Sequence, residues 1–172
     1  MKIKSFSKFD IKINYDSRGW FKESYNEKIY QNILGNFKVK QSNITLSKKA
    51  YTVRGFHYQK SKNAQNKILQ LLSGSIDDYV LCMNKRSKYY LKLFKLELKK
   101  LNEIIVIPKE YAHCVVTKKD NTILNYYVDN FYNYENEVTL NPINIFKKHS
   151  IKLEKKIYVS KKDRNGVILY NE

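Results

Sequence analysis

The chain has 172 residues, enough to close a hydrophobic core within one domain. With 42% hydrophobic and 28% charged residues it is composed like a globular protein, not a disordered one, and no apolar run is long enough to span a bilayer. The net charge of +17 would ordinarily raise nucleic acid or an anionic membrane as partner, but the positive residues are nearly all Lys and are spread along the chain beside abundant Asn, Ile and Tyr. That pattern is a compositional bias rather than a binding face, so neither partner is expected, although a polyanionic small molecule would be favoured.

In chain order, Met1 to Asp10 alternates Lys with apolar residues and lacks the core of a signal peptide, so a cytoplasmic location is expected. Gly19 is the first breaker. Glu27 to Leu34, ended by Gly35, is expected to form one or two helical turns. Phe37 to Thr45 partly alternates, with Phe37, Val39, Gln41, Asn43 and Thr45 on one face. The stretch around Gly55 and His57 reads as strand. Ile68 to Met83 reads as two apolar runs around a turn at Gly74. Tyr89 to Leu98 alternates, with Phe94 out of phase, which suggests a bulge. Ile104 to Ile107 is a short buried strand stopped by Pro108, and Thr122 to Val128 is another. Asn141-Pro142 and Gly166 punctuate a C-terminal part expected to hold short irregular segments. Many short strands at this spacing predict an all-β barrel or sandwich, as one domain over residues 1–172 without repeats or linkers. Such a protein must protect its strand edges, and dimer formation through strand exchange is a common solution.

The two cysteines, Cys82 and Cys114, make no disulfide framework and no CxxC zinc knuckle, and are expected to be buried free thiols. Arginine is scarce: Arg18, Arg54, Arg86 and Arg164. A planar guanidinium grips phosphate oxygens bidentately where an ammonium cannot. Arg18 and Arg54 each precede a glycine, whose missing Cβ would allow close approach of a ligand; the plainer alternative is a turn glycine beside a surface charge.

The densest cluster is Val53-Arg54-Gly55-Phe56-His57-Tyr58-Gln59, with Lys67, His113, Tyr126 and Asp163 downstream. Taken one at a time, a strand histidine, one lysine among many and one tyrosine of fifteen are ordinary structural residues. Together they form an ordered series. Asp16-Ser17-Arg18-Gly19-Trp20-Phe21-Lys22-Glu23 comes first, then Gln41-Ser42-Asn43, then Arg54 to Gln59, then Lys67. Ile107-Pro108-Lys109-Glu110-Tyr111-Ala112-His113 follows, then Leu124-Asn125-Tyr126 with Tyr132 and Glu135 to Glu137, and last Ser160-Lys161-Lys162-Asp163. In order and spacing, from near the start to near the end, the chain resembles the dTDP-4-dehydrorhamnose 3,5-epimerase family.

The resemblance implies an all-β cupin, a jelly roll of double-stranded β-helix form with short peripheral helices. It also implies a metal-free, cofactor-free epimerase acting on a nucleotide-diphospho-sugar. The ketone at C4 of such a hexose acidifies C3 and C5, so inversion needs a base on one face, an acid on the other and positive charge near O4. By resemblance His57 is the base, Asp163 bonds its other ring nitrogen, Lys67 stabilises the enolate and Tyr126 delivers the proton. In a strand Tyr126 and its neighbour Tyr127 face opposite sides, so only one can point inward. Arg18 and Arg54 would hold the diphosphate. Phe21 lies in the same motif, and Glu23, Gln41 and Asn43 would contact nucleotide or sugar. Tyr132 would stack on the base, and His113, Glu137 and Lys162 would line the sugar site. In the family some of these residues come from the neighbouring subunit, so a homodimer is implied.

The chain departs from the family at several positions. Lys109 replaces a glycine after Pro108, so that turn is expected to differ; Cys114 replaces a glycine, Cys82 an acid and Tyr127 a lysine, while Asp78 keeps the more central acidic position. No proposed reacting group is lost, but the nucleotide, the sugar and the number of centres inverted stay open. Three rivals differ in class. A metal-dependent cupin would need an H-x-H pair, and the three histidines (His57, His113 and His149) are scattered. A nucleic-acid or glycan binding module fits charge and aromatics but leaves His57, Tyr126 and Asp163 unexplained. A 3,4-ketoisomerase on this fold would need a second His where Tyr58 stands.

Overall fold

The computed structural model describes residues 6–34, 37–154 and 156–170; Gly35, expected to end the first helix, lies outside the described residues. In chain order the strands and helices are β1 (Ser7–Asp10), β2 (Ile13–Asp16), β3 (Gly19–Lys22), α1 (Glu27–Leu34), β4 (Gln41–Ser47), β5 (Thr52–Gln59), β6 (Lys67–Ser73) and β7 (Ile76–Cys82). There follow β8 (Leu93–Leu98), β9 (Glu103–Ile107), β10 (Tyr111–Thr117), β11 (Thr122–Val128), β12 (Glu137–Thr139), α2 (Pro142–Lys148), β13 (Tyr158–Val159) and α3 (Lys161–Arg164).

Two sheets face each other. One has the order β1-β9-β6-β11-β4; the other has the order β12-β5-β10-β7-β8, with β13 added in parallel to β5. From β4 to β7 the chain crosses from one sheet to the other at each step, the double-sheet path of a cupin-like jelly roll. Gly74 therefore makes a crossover between sheets rather than a hairpin, because β6 and β7 do not pair. Its φ is +90° and a Cβ there would strike Thr122, so the position needs glycine.

The space between the sheets is packed by Leu69, Leu71, Ile76, Val80, Ile105 and Val115 among others. The outer faces are covered as well. Around α1, Tyr30 joins Ile68, Ile104, Val106 and Tyr127 behind the first sheet; around α2, Ile145 and Phe146 join Val53, Phe56, Tyr79 and Leu81 behind the second. Coverage on both faces explains why β7 and β9 are buried at every residue instead of alternating. Each fully buried Leu, Ile or Phe stabilises the fold by roughly 1.5–3 kcal/mol. No described helix is long and apolar enough to cross a membrane.

Several local expectations hold and others do not. β4 alternates as expected, with Gln41, Asn43 and Thr45 inward and Ser42, Ile44 and Leu46 outward. No bulge occurs near Phe94: β8 starts only at Leu93 and keeps continuous register with β7, and the phase break reflects turns through Leu91. Register shifts fall instead at His113/Cys114 and Ile123/Leu124. The C-terminal part is more regular than expected. Asn141 is not a breaker but a cap, accepting from the Asn144 amide (3.0 Å) ahead of Pro142 in the first turn of α2. The turn at Pro108 closes without glycine, through Tyr111 N–H donating to the Pro108 carbonyl (3.0 Å), and neither Lys109 nor Glu110 takes a positive φ.

Candidate active site

A cavity of about 740 Å³ opens between the two sheets, within the usual range for small-molecule sites. Leu69, Val115 and Leu124 line it and belong to the central core, so the cavity is the end of the sandwich that side chains leave unfilled. Around the rest of its wall, charged and polar side chains stand among apolar and aromatic ones.

His57 enters from β5, whose Gly55 has φ +132°. A Cβ at Gly55 would lie 2.4 Å from the His113 carbonyl oxygen and 2.7 Å from Cys114 Cα. The glycine is thus required by the approach of β10, not by a ligand. That packing makes His113 and His57 cross-strand partners. β13 then pairs with Thr52 and Val53, which carries the next residues, Ser160 to Asp163, alongside β5. Ser160 caps α3 by accepting from the Asp163 amide (3.0 Å), so the spacing Ser160-Lys161-Lys162-Asp163 is a helix start that aims the acid. Asp163 Oδ1 lies 2.7 Å from His57 Nε2, and Oδ2 accepts from the Gly55 amide at 3.5 Å. Burial opposes ionisation of Asp163, but the imidazole and the other donors outweigh it and hold the carboxyl below its ordinary range. A carboxylate on Nε2 leaves Nδ1 as the unprotonated nitrogen of a neutral ring.

Lys67 begins β6 on the opposite sheet and is buried, with Nζ donating to the His57 carbonyl at 3.4 Å. Burial drops its pKa to about 8, against the pull of Asp78 and Glu137. A fall of that size disfavours the ammonium by roughly 3 kcal/mol. Tyr126 lines the cavity from β11 while Tyr127 points outward to Ser24 Oγ (2.9 Å), as alternation requires. Burial raises the Tyr126 pKa, with Arg54 opposing and Glu137 adding to the rise. His113 is half-buried, and desolvation, then the Lys67 charge, lower its pKa against the pull of Asp78. Its Nδ1 lies 3.2 Å from Asp78 Oδ1.

Arg54 is held at the cavity wall by Nε donating to Ser47 Oγ and Nη2 to the Leu46 carbonyl, both 3.0 Å. Glu137 accepts from Lys162 Nζ (2.6 Å) and Tyr132 Oη (2.8 Å). Burial disfavours its charge, yet the two donors hold its pKa below normal. His149 sits elsewhere, with Nε2 3.1 Å from Tyr170 Oη, so the histidines do not converge. Among the described residues no group of three His, Cys, Asp or Glu is arranged to hold a metal ion. Basic, acidic and phenolic groups facing one space from two sheets can remove and return protons on a bound molecule.

The sequence model of the dTDP-4-dehydrorhamnose 3,5-epimerase family matches residues 1–171. The chain belongs to this family. A dTDP-4-dehydrorhamnose 3,5-epimerase of Sinorhizobium fredii is 31% identical over 123 residues, 71% of this chain and 63% of that protein, so the alignment spans less than two thirds of that relative. The Bacillus anthracis dTDP-4-dehydrorhamnose 3,5-epimerase, solved with TDP and PPi bound, superposes with a TM-score of 0.88 at 27% identity, covering 98% of this chain and 99% of that one. The Legionella pneumophila dTDP-6-deoxy-D-glucose-3,5-epimerase, solved with dTDP-4-keto-L-rhamnose, gives 0.85 at 25% identity over 96% and 88%.

Of the residues singled out by the epimerase resemblance, His57, Lys67, His113, Tyr126, Tyr132, Glu137, Lys162, Asp163 and Arg54 share the cavity. Gln41 and Asn43 are register partners of Val128 and Tyr126 on the inward face of β4, above Thr45, which lines the cavity. Gln41 also accepts from the Tyr132 amide (3.0 Å). Arg18, Phe21 and Glu23 are not in the cavity wall. Arg18 occupies the tip of the β2–β3 hairpin, clamped to Asp16 at 2.6 Å, and Phe21 is 63% exposed. Gly19 has φ +135° with open space around it, so it serves the turn. Cavity residues given no role from the sequence include Gln65, Tyr158 and Arg164, the last noted there only as one of four arginines.

Proposed function

We propose that the chain epimerises C3, C5 or both of a nucleotide-linked 4-keto-6-deoxy sugar, with dTDP-4-dehydro-6-deoxy-D-glucose, converted to dTDP-4-dehydro-L-rhamnose, as the first substrate to test. One observation carries the reading: a His57–Asp163 pair on one sheet and Tyr126 on the other line the same cavity. In this mechanism His57 Nδ1 takes the proton α to the ketone. The electron pair delocalises onto O4 as an enolate, where Lys67, itself buried, supplies positive charge. Tyr126 protonates the carbon from the opposite face, and solvent then restores both groups. The raised pKa of Tyr126 suits a strongly basic carbanion acceptor. No metal or cofactor takes part.

Arg54 would hold the diphosphate, Tyr132 would stack on the base, and His113, Glu137 and Lys162 would line the sugar site. Arg18, Phe21, Glu23, Gln41 and Asn43 complete the nucleotide site in this reading, the hairpin residues by reaching a second copy. A homodimer is supported by the exposed apolar surface of the hairpin, with Tyr15 73% exposed beside Trp20 and Phe21, and by outward Ile44 and Leu46 on β4, an edge strand. One domain over residues 1–172 and a cytoplasmic location complete the reading; two free buried thiols, Cys82 and Cys114, are consistent with a reducing compartment.

The test is proton NMR in D₂O with dTDP-4-keto-6-deoxyglucose and, separately, a GDP-4-keto heptose. Deuterium at C3 or C5 of either identifies centre and substrate together. Absence of exchange on both would sink the epimerase reading.

A further inference from the structure

Asp78 is an anomaly in its strand. It lies in the middle of β7, which is buried at every residue, and its own exposure is 0%. A carboxylate withdrawn from water costs several kcal/mol unless it is fully partnered. This one is not. Oδ1 meets His113 Nδ1 at 3.2 Å, whereas Oδ2 is buried with no hydrogen-bond partner among the described residues. A purely structural acid would be expected to satisfy both oxygens. On the cavity side of the same region, Lys67 has, among the described residues, a single long hydrogen bond for its three donors. Asp78 is within electrostatic reach of Lys67 and is the first of the groups that favour its charge.

The arrangement mirrors the neighbouring pair. His57 and His113 are cross-strand partners, and each is backed by an acid, but on opposite nitrogens: Nε2 for His57 and Nδ1 for His113. A carboxylate only accepts, so the nitrogen facing it carries the hydrogen. We infer that Asp78 is a positioning residue of this site: it locks His113 as the Nδ1–H tautomer, leaving Nε2 bare to accept from a sugar hydroxyl. It touches neither substrate nor reacting atoms and acts through the imidazole of His113. This rests on the epimerase reading for its kinetic consequence, but not for its chemistry.

The test combines ¹⁵N NMR of the histidine rings with kinetics of Asp78→Asn, which keeps the size and removes the charge. In the wild-type protein His113 should show the Nδ1–H pattern. That measurement needs no variant and no turnover; a proton on Nε2 instead overturns the inference. In Asp78→Asn the His113 pattern should change. kcat should fall roughly 10- to 100-fold, the scale on which losing the carboxylate behind a metal-bound imidazole acts, with KM for the nucleotide sugar within about twofold. A kcat within twofold of wild type, or a loss that only tracks the unfolded fraction in a thermal melt, overturns it. A wild-type protein that exchanges no solvent deuterium into either keto sugar fails the epimerase reading alone, and the ring spectra then decide the role of Asp78 by themselves.

Discussion

The interior cavity and the β2–β3 hairpin draw on the same series of sequence motifs and are built in contrasting ways. In the cavity, polar groups are held by neighbours from both sheets: Asp163 on His57, Asp78 on His113, and Lys162 and Tyr132 on Glu137. Burial and close charges act together on Asp163, His113 and Glu137 and move their pKa values. On the hairpin, Arg18 is held, among the described residues, only by Asp16 two residues away, and Trp20 and Phe21 turn large apolar surfaces to solvent. Groups meant for proton transfer need rigid support within one chain, since small misplacements are costly to rate. Groups that grip a distant part of a ligand tolerate delivery by an exposed arm, provided something covers that arm.

The contrast makes cavity variants chemical and hairpin variants matters of binding and assembly. The largest effect is expected for His57→Ala, which should cut solvent deuterium incorporation by roughly 100- to 10,000-fold while dTDP still binds. NMR exchange beside a calorimetric titration separates the two, and exchange at the wild-type rate would remove His57 as base. Next comes the pH profile. Lys67 is a base whose protonated form is the useful one, and its pKa is about 8 rather than the ordinary 10.5. kcat/KM should therefore decline as pH rises through about 8, and Lys67→Met should abolish that decline along with most of the rate. A profile flat to pH 10 would show that Lys67 carries no charge the reaction needs.

Arg54→Lys keeps the charge but loses the planar fork, so dTDP affinity should weaken about tenfold, or roughly 1.4 kcal/mol. Equal affinity by calorimetry removes the bidentate argument. Arg18→Ala should have the smallest effect, raising KM several-fold with kcat unchanged. Mixing Arg18→Ala with His57→Ala subunits sharpens the comparison. If the hairpin serves a second copy, mixed dimers contain one intact site and regain wild-type KM. Failure to recover confines Arg18 to its own subunit or to no site at all.

Much of the architecture was legible beforehand. Helix α1 and strand β11 have the bounds expected from the pattern, and β4 alternates on the expected face, because local periodicity and burial agree there. The misreadings share a cause. Phe94 looked like a bulge because the turn before Leu93 is made by residues with no turn signature, including Leu91 at φ 58°. Asn141-Pro142 looked like a break because the pair that stops one element also starts the next. The glycine after Arg54 was read as room for a ligand or as a turn, and its real cause, the close approach of β10, was missed because a sequence cannot say which backbone passes close by.

Residue order alone determined the chemical inventory: an imidazole, a phenol, a lysine and a late acid, set in the sequence of a known family. It also determined that strands would dominate, since alternation is a property of neighbours along the chain. Only the tertiary structure decided that Asp163 bonds Nε2 of His57, that Lys67 is buried with its pKa near 8, and that Asp78 stands behind His113. These depend on distance and dielectric between residues far apart in the chain, quantities that exist only once the two sheets have closed on each other.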